Sequence, residues 1–466
     1  MPLRERNDTI AAVATPVGEG GIAVIRVSGG NAVALCDSLF AGKKPLLDVP
    51  SHTVHHGRFL TGGGETIDEV LVSVFRAPHS YTGEESVEIS CHGGMFITNK
   101  ILYAVLSKGA RTADPGEFTL RAFLNGKMDL TQAEAVAALI HAKTEKSHAA
   151  SLAQLSGGVT RRVEHFRTNL IDLCSLLELE LDFSQEGVEL TKRDDVIEKL
   201  DNTITDIKKF TTSYLYGRVL RDGVKVVLTG KPNAGKSSLL NILLQQNRAI
   251  VSEIPGTTRD VIEENLSING LLVRLVDTAG IRQSEDIIEE ESIRRTHEEL
   301  ESASVIAVMI DSSEMMTKND SELYHSLLRV SRKNKSIVIF LLNKSDLTNR
   351  EFSFDLPLTE NESQMFISCL TGDGIPEFKQ RLFKISLPNY DSGSSSILLQ
   401  NERHKVALEK AVEKLDLARQ TLANGLSSDF VAVDLRAALD YLGEIIGITT
   451  PDDILQNIFS KFCIGK

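Results

Sequence analysis

The chain has 466 residues, 42% of them hydrophobic and 25% charged, which is too long for one ordinary domain and has a globular composition. A formal net charge of −13 excludes capture of nucleic acid by bulk charge, so an RNA partner needs a local patch or a second protein. Transmembrane and secreted classes are disfavoured too. No run reaches the roughly 18 apolar residues that span a bilayer, Met1-Pro2-Leu3-Arg4 leads into no signal-peptide core, and five scattered cysteines in no metal-ligand spacing suit a reducing, cytoplasmic setting.

From about residue 7 to 120, short strands and helices alternate. Gly21–Ser28 predicts a strand, Ala32–Phe40 an amphipathic helix, and Thr53–Leu60, Val70–Phe75 and Ser86–Ser90 further strands. Gly62-Gly63-Gly64 marks a hairpin loop, and Phe96–Lys108 a helix that completes an α+β unit. From Leu130 to about Gly217 the periodicity is helical almost without a break, in Gln132–Lys146, Ser147–Leu155, Val159–Leu181 and Lys192–Tyr216. Arg161, Arg162 and Arg167 are a weak candidate for an RNA-facing patch, because helical arginines are usually solvated.

The texture changes again at about Leu220. The β-branched run Val224–Leu228 empties into Gly230-Lys231-Pro232-Asn233-Ala234-Gly235-Lys236-Ser237, followed by an apolar helical pattern. A strand, a G-x-x-x-x-G-K-S loop and a helix in that order make a phosphate site, in which backbone N–H groups and the helix N-terminus converge on phosphate oxygens. Lys236 would reach the β/γ-phosphates and the Ser237 hydroxyl would ligate Mg²⁺, with Ala234, Gly235 and Ser238 completing the cradle. A second buried strand, Leu271–Val276, ends in Asp277-Thr278-Ala279-Gly280, where Asp277 can hold the Mg²⁺ shell and the Gly280 N–H can meet a γ-phosphate. A third, Ile337–Leu342, ends in Asn343-Lys344-Ser345-Asp346. The Asp346 carboxylate suits the N1–H and N2 amine of guanine, donors that adenine lacks. Ile367-Ser368-Cys369-Leu370 is similar to the S-A-K element behind guanine O6, with Cys369 in place of Ala. The expected ligand is GTP.

This unit runs to about Leu387, and Pro388–Ser396 is a Gly/Ser-rich joint. Helical periodicity returns in Glu402–Leu422, Asp429–Leu442 and Asp452–Phe459, with an apolar stripe at Val406, Leu408, Ala411, Leu415 and Leu417 that needs a partner. The economical partner is the helical block before the GTP-binding unit, which makes that unit an insertion. The expected organisation is an N-terminal α+β domain (1–121), a first helical part (122–218), the GTPase domain (219–387) and a second helical part (388–466).

The motifs resemble one family over the full length. Thr15-Pro16-Val17-Gly18-Glu19-Gly20-Gly21, Tyr81-Thr82-Gly83-Glu84, Cys91-His92-Gly93-Gly94, Pro115-Gly116-Glu117-Phe118, Arg121-Ala122-Phe123-Leu124-Asn125-Gly126-Lys127 and the terminal Cys463-Ile464-Gly465-Lys466 are similar to those of the MnmE (TrmE) tRNA-modification GTPases. The resemblance implies a multidomain α/β protein: a folate-binding-like N-terminal domain that makes a homodimer, an all-α central domain, and a Ras-like P-loop domain inserted in it. It also implies an FAD-dependent partner, MnmG (GidA), and addition of an aminomethyl or carboxymethylaminomethyl group at C5 of the wobble uridine in certain tRNAs.

Site residues follow from the same resemblance. Ile281 stands after Asp277-Thr278-Ala279-Gly280, where Ras-like proteins keep a water-orienting Gln, so another group must place the nucleophile. The resemblance implies K⁺ bound by Asn233, by carbonyls of Ser252 and Ile254 and by Thr257, with Thr258 as a switch ligand of Mg²⁺ and Glu289 orienting water. It implies a tetrahydrofolate derivative (5-formyl or 5,10-methylene) at Arg26, Glu88, Lys127 and Lys466, with Cys463 as a catalytic thiol of open role. Taken by themselves, the Asn, Glu, Arg and Lys are residue types usually found in turns or on solvated surfaces, and Cys463 could be a small apolar residue packed by Phe459 and Phe462. The runner-up is a non-catalytic GTP switch, such as a ribosome-assembly factor.

Overall fold

The structure is a computed structural model, and it describes residues 8–16, 18–182, 193–247, 263–277, 289–347, 354, 356–388, 397–424 and 428–466. The chain forms two compact units. The first combines residues 1–137, 154–207 and 407–466; the second combines 138–153 and 208–406.

In the first unit, β1 (Ile10–Val13), β2 (Gly20–Ser28), β3 (Phe40–Gly42), β4 (Thr53–Leu60), β5 (Thr66–Phe75), β6 (Ser86–Gly93) and β7 (Arg111–Thr112) form one sheet in the order β3-β4-β5-β6-β2-β1-β7. All neighbours are antiparallel except β1 and β7. Period-2 alternation sends Ala23, Ile25, Val27, Val87, Ile89 and Cys91 into the core and turns Arg26, Glu88 and Ser90 to the opposite face. Helix Met95–Ser107 covers the core face with Thr98, Ile101, Ala104 and Val105, one stripe at helical spacing. The helix expected over 32–40 stops at Asp37, because Phe40 leaves it to pair with Phe59 as β3. The short β1, β3 and β7 and the helix Glu117–Leu124 carry too little periodicity to be read from sequence.

Helix Gly158–Asp182 buries Val159, Val163, Phe166, Leu170, Leu173, Cys174 and Leu177, and packs against helix Ser428–Ile446, which buries Val431, Leu435, Ala438, Leu442 and Ile445. Helical segments from both sides of residues 219–387 therefore share one core. Of the stripe expected on helix Glu402–Ala423, Leu408, Ala411 and Leu415 are fully buried, whereas Val406 and Leu417 are exposed. The two helices expected over 132–146 and 147–155 are there as Leu130–His141 and Glu145–Leu155, with the break between them earlier than the periodicity placed it. The second restarts at Thr144, whose hydroxyl accepts from Ser147 N–H at 3.3 Å. The helix expected over 192–216 divides at Ser213 into Arg193–Thr212 and Tyr214–Asp222.

In the second unit, β8 (Val224–Gly230), β9 (Glu263–Ile268), β10 (Leu271–Asp277), β11 (Val305–Asp311), β12 (Ile337–Asn343) and β13 (Glu362–Phe366) form a sheet in the order β13-β12-β11-β8-β10-β9. Every pair is parallel except β9 with β10. The unbroken apolar runs of β11 and β12 are buried along nearly their whole length, as strands covered on both faces must be. One face packs on helices Lys236–Asn247 and Ile375–Ser386, the other on Glu289–Ser302 and Lys318–Asn334. The C-terminal ends of β8, β10, β11 and β12 lie side by side, and ligands of open α/β sheets bind at such an edge.

Candidate functional sites: a nucleotide edge and a docked C-terminal tail

β8 lies between β10 and β11, and its end turns into the loop 231–235 before helix Lys236–Asn247 begins. Asn233 has φ +63°, a left-handed conformation that asparagine tolerates better than most residues. Gly235 has φ +103°, and a Cβ there would lie 2.1 Å from Asn343 Nδ2, so only glycine lets the two loops close on each other. The buried Lys236 donates from Nζ to the carbonyls of Gly230 (2.9 Å) and Lys231 (2.7 Å). Asp277, also buried, ends β10 in register with Leu228 of β8. Ser237 and Ser238 are exposed at the helix start.

Asn343 joins three loops. Its Nδ2 donates to Ala234 O at 2.8 Å, and its Oδ1 accepts from Cys369 N–H at 3.0 Å. Lys344, at φ +63°, pairs with Asp311 at the end of β11. That hydrogen bond raises the Lys344 ammonium above the ordinary lysine range. Burial opposes ionisation of Asp311, but Lys344 and Ser313 outweigh it and hold its carboxyl low. The fully buried Ser368 donates from Oγ to Asp346 Oδ1 at 2.5 Å and accepts from Leu370 and Thr371 N–H, so the Asp346 carboxylate is braced from behind. Burial, then the Asp346 charge, pushes the Cys369 thiol up to about 11, which leaves it protonated and inert near neutral pH.

Sequence reasoning missed Asp311 and Ser312. The run Val305–Ile310 before them is a legible strand, and Ser312 donates from both N–H and Oγ to Asn343 O, at 2.9 and 2.7 Å. Ser252, Ile254, Thr257, Thr258, Thr278, Ala279, Gly280 and Ile281 lie outside the described residues. Glu289 opens a helix, and its side chain is also outside them.

The second site is in the first unit. Arg26 and Glu88 face each other across β2 and β6, with Nε–Oε1 3.0 Å and Nη2–Oε1 2.9 Å. The guanidinium sits 5.2 Å from the Tyr81 ring centre and 5.7 Å from that of Phe118. Tyr81 OH bonds Thr119 Oγ1 at 2.8 Å, and burial raises the phenol above its usual range.

The chain terminus docks beside this pair. Gly116 N–H donates to Cys463 O (3.4 Å) and Phe118 N–H to Lys466 O (3.2 Å), so the first turn of helix Glu117–Leu124 receives tail carbonyls. Arg26 Nη1 reaches Gly465 O at 3.5 Å. Gly465 has φ +93°, and a Cβ there would lie 2.3 Å from Val13 O. Phe459 and Phe462 anchor the approach from inside the core, whereas Cys463 is exposed. Burial, then repulsion from Arg26, lowers the half-buried Lys466 ammonium below the ordinary lysine range. Arg26, Glu88, Cys463 and Lys466 thus converge. Lys127 does not join them directly: its Nζ donates to Pro78 O at 3.0 Å, and its stem lies 3.3 Å from the Cβ position of Gly83, on the loop that carries Tyr81.

The other cysteines are structural, since Cys36, Cys91 and Cys174 are buried. The arginines considered for RNA are engaged internally: Arg161 donates to Ser156 O, Arg162 lies over Phe166, and Arg167 donates to Leu439 O.

Two family models match the chain. One described as "MnmE helical domain" covers residues 130–463, and one described as "GTP-binding protein TrmE N-terminus" covers residues 9–127. The tRNA modification GTPase MnmE of Carboxydothermus hydrogenoformans is 42% identical over 465 residues, spanning 99% of this chain and 100% of that one. The protein of the same name from Protochlamydia amoebophila is 43% identical over 460 residues (99% and 98%), and that from Christiangramia forsetii 43% over 478 residues (99% and 99%).

Proposed function

The chain belongs to the MnmE family of tRNA modification GTPases, and on that premise we propose how its two sites divide the work. It binds and hydrolyses GTP and acts in tRNA modification. Together with an FAD-dependent partner of the MnmG (GidA) type, it adds an aminomethyl or carboxymethylaminomethyl group at C5 of wobble uridine. The observation that carries this reading is the docked tail. A chain that only switched on GTP would have no use for an exposed thiol held beside a half-buried lysine and an Arg–Glu pair.

In the nucleotide site, Lys236 exchanges its loop carbonyls for phosphate oxygens, and Asp346, braced by Ser368, accepts from the guanine edge. Ser237, Thr258 and Asp277 would hold Mg²⁺. Asn233, Ser252, Ile254 and Thr257 would hold K⁺, which supplies positive charge against the phosphates in place of an arginine finger. Glu289 orients the attacking water. The left-handed Asn233, exposed on the phosphate loop, fits a ligand role.

In the tail site, the donor set fits a tetrahydrofolate derivative, which would supply the one-carbon unit. Glu88 can accept from the pterin's amide-like edge, while Lys127 and the Arg26/Lys466 pair offer positive charge to the glutamyl carboxylates. Cys463 works at the margin of this group, and the lowered Lys466 ammonium can give up a proton more readily than a surface lysine. A homodimer through the N-terminal sheet domain is supported by the exposed Phe96, Tyr103, Met95 and Ile22.

Mass spectrometry of wobble nucleosides tests the reading in strains that lack the protein, carry it, or carry Cys463→Ser. The C5-substituted uridine should vanish in the first, return in the second and stay absent in the third. Full restoration by Cys463→Ser would remove the thiol from the chemistry. An unchanged nucleoside profile in the deletion would leave the GTP switch.

A further inference from the structure

The phosphate loop is tied to a helix outside the P-loop, D-T-A-G, N-K-S-D and S-C-L elements. Helix Lys318–Asn334 begins with a capping box: Thr317 Oγ1 accepts from Asp320 N–H at 3.3 Å, and Asp320 Oδ2 accepts from Thr317 N–H at 2.9 Å. The other carboxylate oxygen, Oδ1, pairs with the ammonium of Lys231, the second residue of the loop. Asp320 is 6% exposed at its side chain and Lys231 45%. Burial alone would raise the Asp320 carboxyl, but Lys231 and the Thr317 N–H hold it below the ordinary carboxylate range. The same Lys231 presents its backbone carbonyl to Lys236 Nζ at 2.7 Å. One residue therefore meets the fixed helix cap through its side chain and the phosphate-binding lysine through its main chain.

We propose that Lys231 and Asp320 are positioning residues for GTP, the ion pair fixing the entry of the phosphate loop so that its curled conformation exists before nucleotide arrives. The loop has an intrinsic tendency to uncurl, because Gly230, Asn233 and Gly235 all stand at positive φ and such a run has many alternative conformations once unbound. Anchoring its second residue removes part of that freedom, and affinity gains what the nucleotide need no longer spend on ordering. The effect acts on the loop rather than on the γ-phosphate, so GDP and GTP feel it alike. It rests on the reading of Gly230–Ser237 as the phosphate loop.

Titration of the full-length protein with fluorescent GDP and GTP analogues tests it. Lys231→Met leaves the capping box intact and carries the test. Its Kd should rise about three- to tenfold for both nucleotides, the size set by one partly exposed ion pair and a less ordered loop. Lys231→Arg, which keeps the charge, should restore affinity to within about twofold. Asp320→Asn should match Lys231→Met, and the double variant should be no weaker than either single one. Arg332→Met breaks the Arg332–Glu362 pair at the far end of the same helix and should leave the Kd unchanged. Wild-type affinity in Lys231→Met, additive losses in the double variant, or an equal loss in Arg332→Met would each overturn the proposal. Lys236→Ala separates it from its premise: wild-type affinity there would dismiss the phosphate loop itself.

Discussion

Gly465 is fixed by two demands that coincide at one atom. Its φ of +93° is costly for any residue with a Cβ, and that Cβ would collide with Val13 O. The terminal C-x-G-K pattern is thus a docking device: glycine lets the tail pass the end of β1, and Lys466 follows it into partial burial. Gly465→Ala should cost more than about 1 kcal/mol of local docking energy while the core of the unit stays folded. The expected outcome is faster release of Lys466 by a carboxypeptidase, with the main thermal transition shifted by less than about 4 °C. Release at the wild-type rate would show that the tail needs no glycine. Asn233 carries a second prediction at this scale. If it ligates K⁺, GTP turnover should be faster in KCl than in NaCl at equal ionic strength, and Asn233→Ala should abolish that difference; equal rates in both salts would dismiss the cation.

At the scale of elements, helix Glu117–Leu124 is held by charge as much as by packing. Arg121, 5% exposed at its side chain, meets Glu117, Glu84 and Asp8, and Arg111 meets Asp8 and Glu117. The Arg111 hydrogen bond, against some burial and with help from Arg121, lowers the Asp8 carboxyl from 3.8 to about 2. Burial would raise Glu117, but Arg111, the Asp114 N–H and Arg121 outweigh it and hold it low. Carboxyls depressed in the folded state contribute stability that is complete above their unfolded values and lost as pH falls through the folded ones. The first unit should therefore lose stability between about pH 4 and pH 2. Asp8→Asn should be less stable at pH 7 and lose less on acidification, as read by urea unfolding at each pH. Glu117→Gln strips a buried partner from Arg121 and should cost about 3 kcal/mol. None of this was visible in Pro115-Gly116-Glu117-Phe118, because Asp8 and Glu84 reach the helix from distant parts of the chain and nothing local aims the nearby Arg111 back at Glu117.

At the scale of the molecule, two compact units share a chain that crosses between them repeatedly. Helices Gly158–Asp182 and Ser428–Ile446 close one core around a break of about 250 residues, and Arg167 and Arg436 tie them at Leu439 O and Glu178. Leu435→Ala, at a fully buried position on the second helix, should destabilise the first unit by about 2–5 kcal/mol. The Kd for GTP, which we propose is set by residues of the second unit, should stay at the wild-type value. A matching loss of nucleotide affinity would mean that the units do not fold independently.

The sequence by itself determined the nucleotide class and most of the strands and helices. Those signals are local: a glycine loop between a β-branched run and an apolar helix, an N-K-x-D after a buried strand, and stripes at period 2 or 3.6. It placed the break between the helices on either side of Thr144 a few residues late and did not divide the helix at Ser213, positions where single hydroxyls end one hydrogen-bond ladder or begin another. Nor could it tell that Val406 and Leu417 stay in solvent while Leu415 is buried, because a stripe names a face and not its partner. The family resemblance grouped Arg26, Glu88 and Lys466, but only the tertiary structure gave their contacts, paired Lys231 with Asp320, and bound Asn343 to Ala234 and Cys369. Such contacts depend on which strand ends and helix caps the packed fold makes neighbours, and no periodicity along the chain records that.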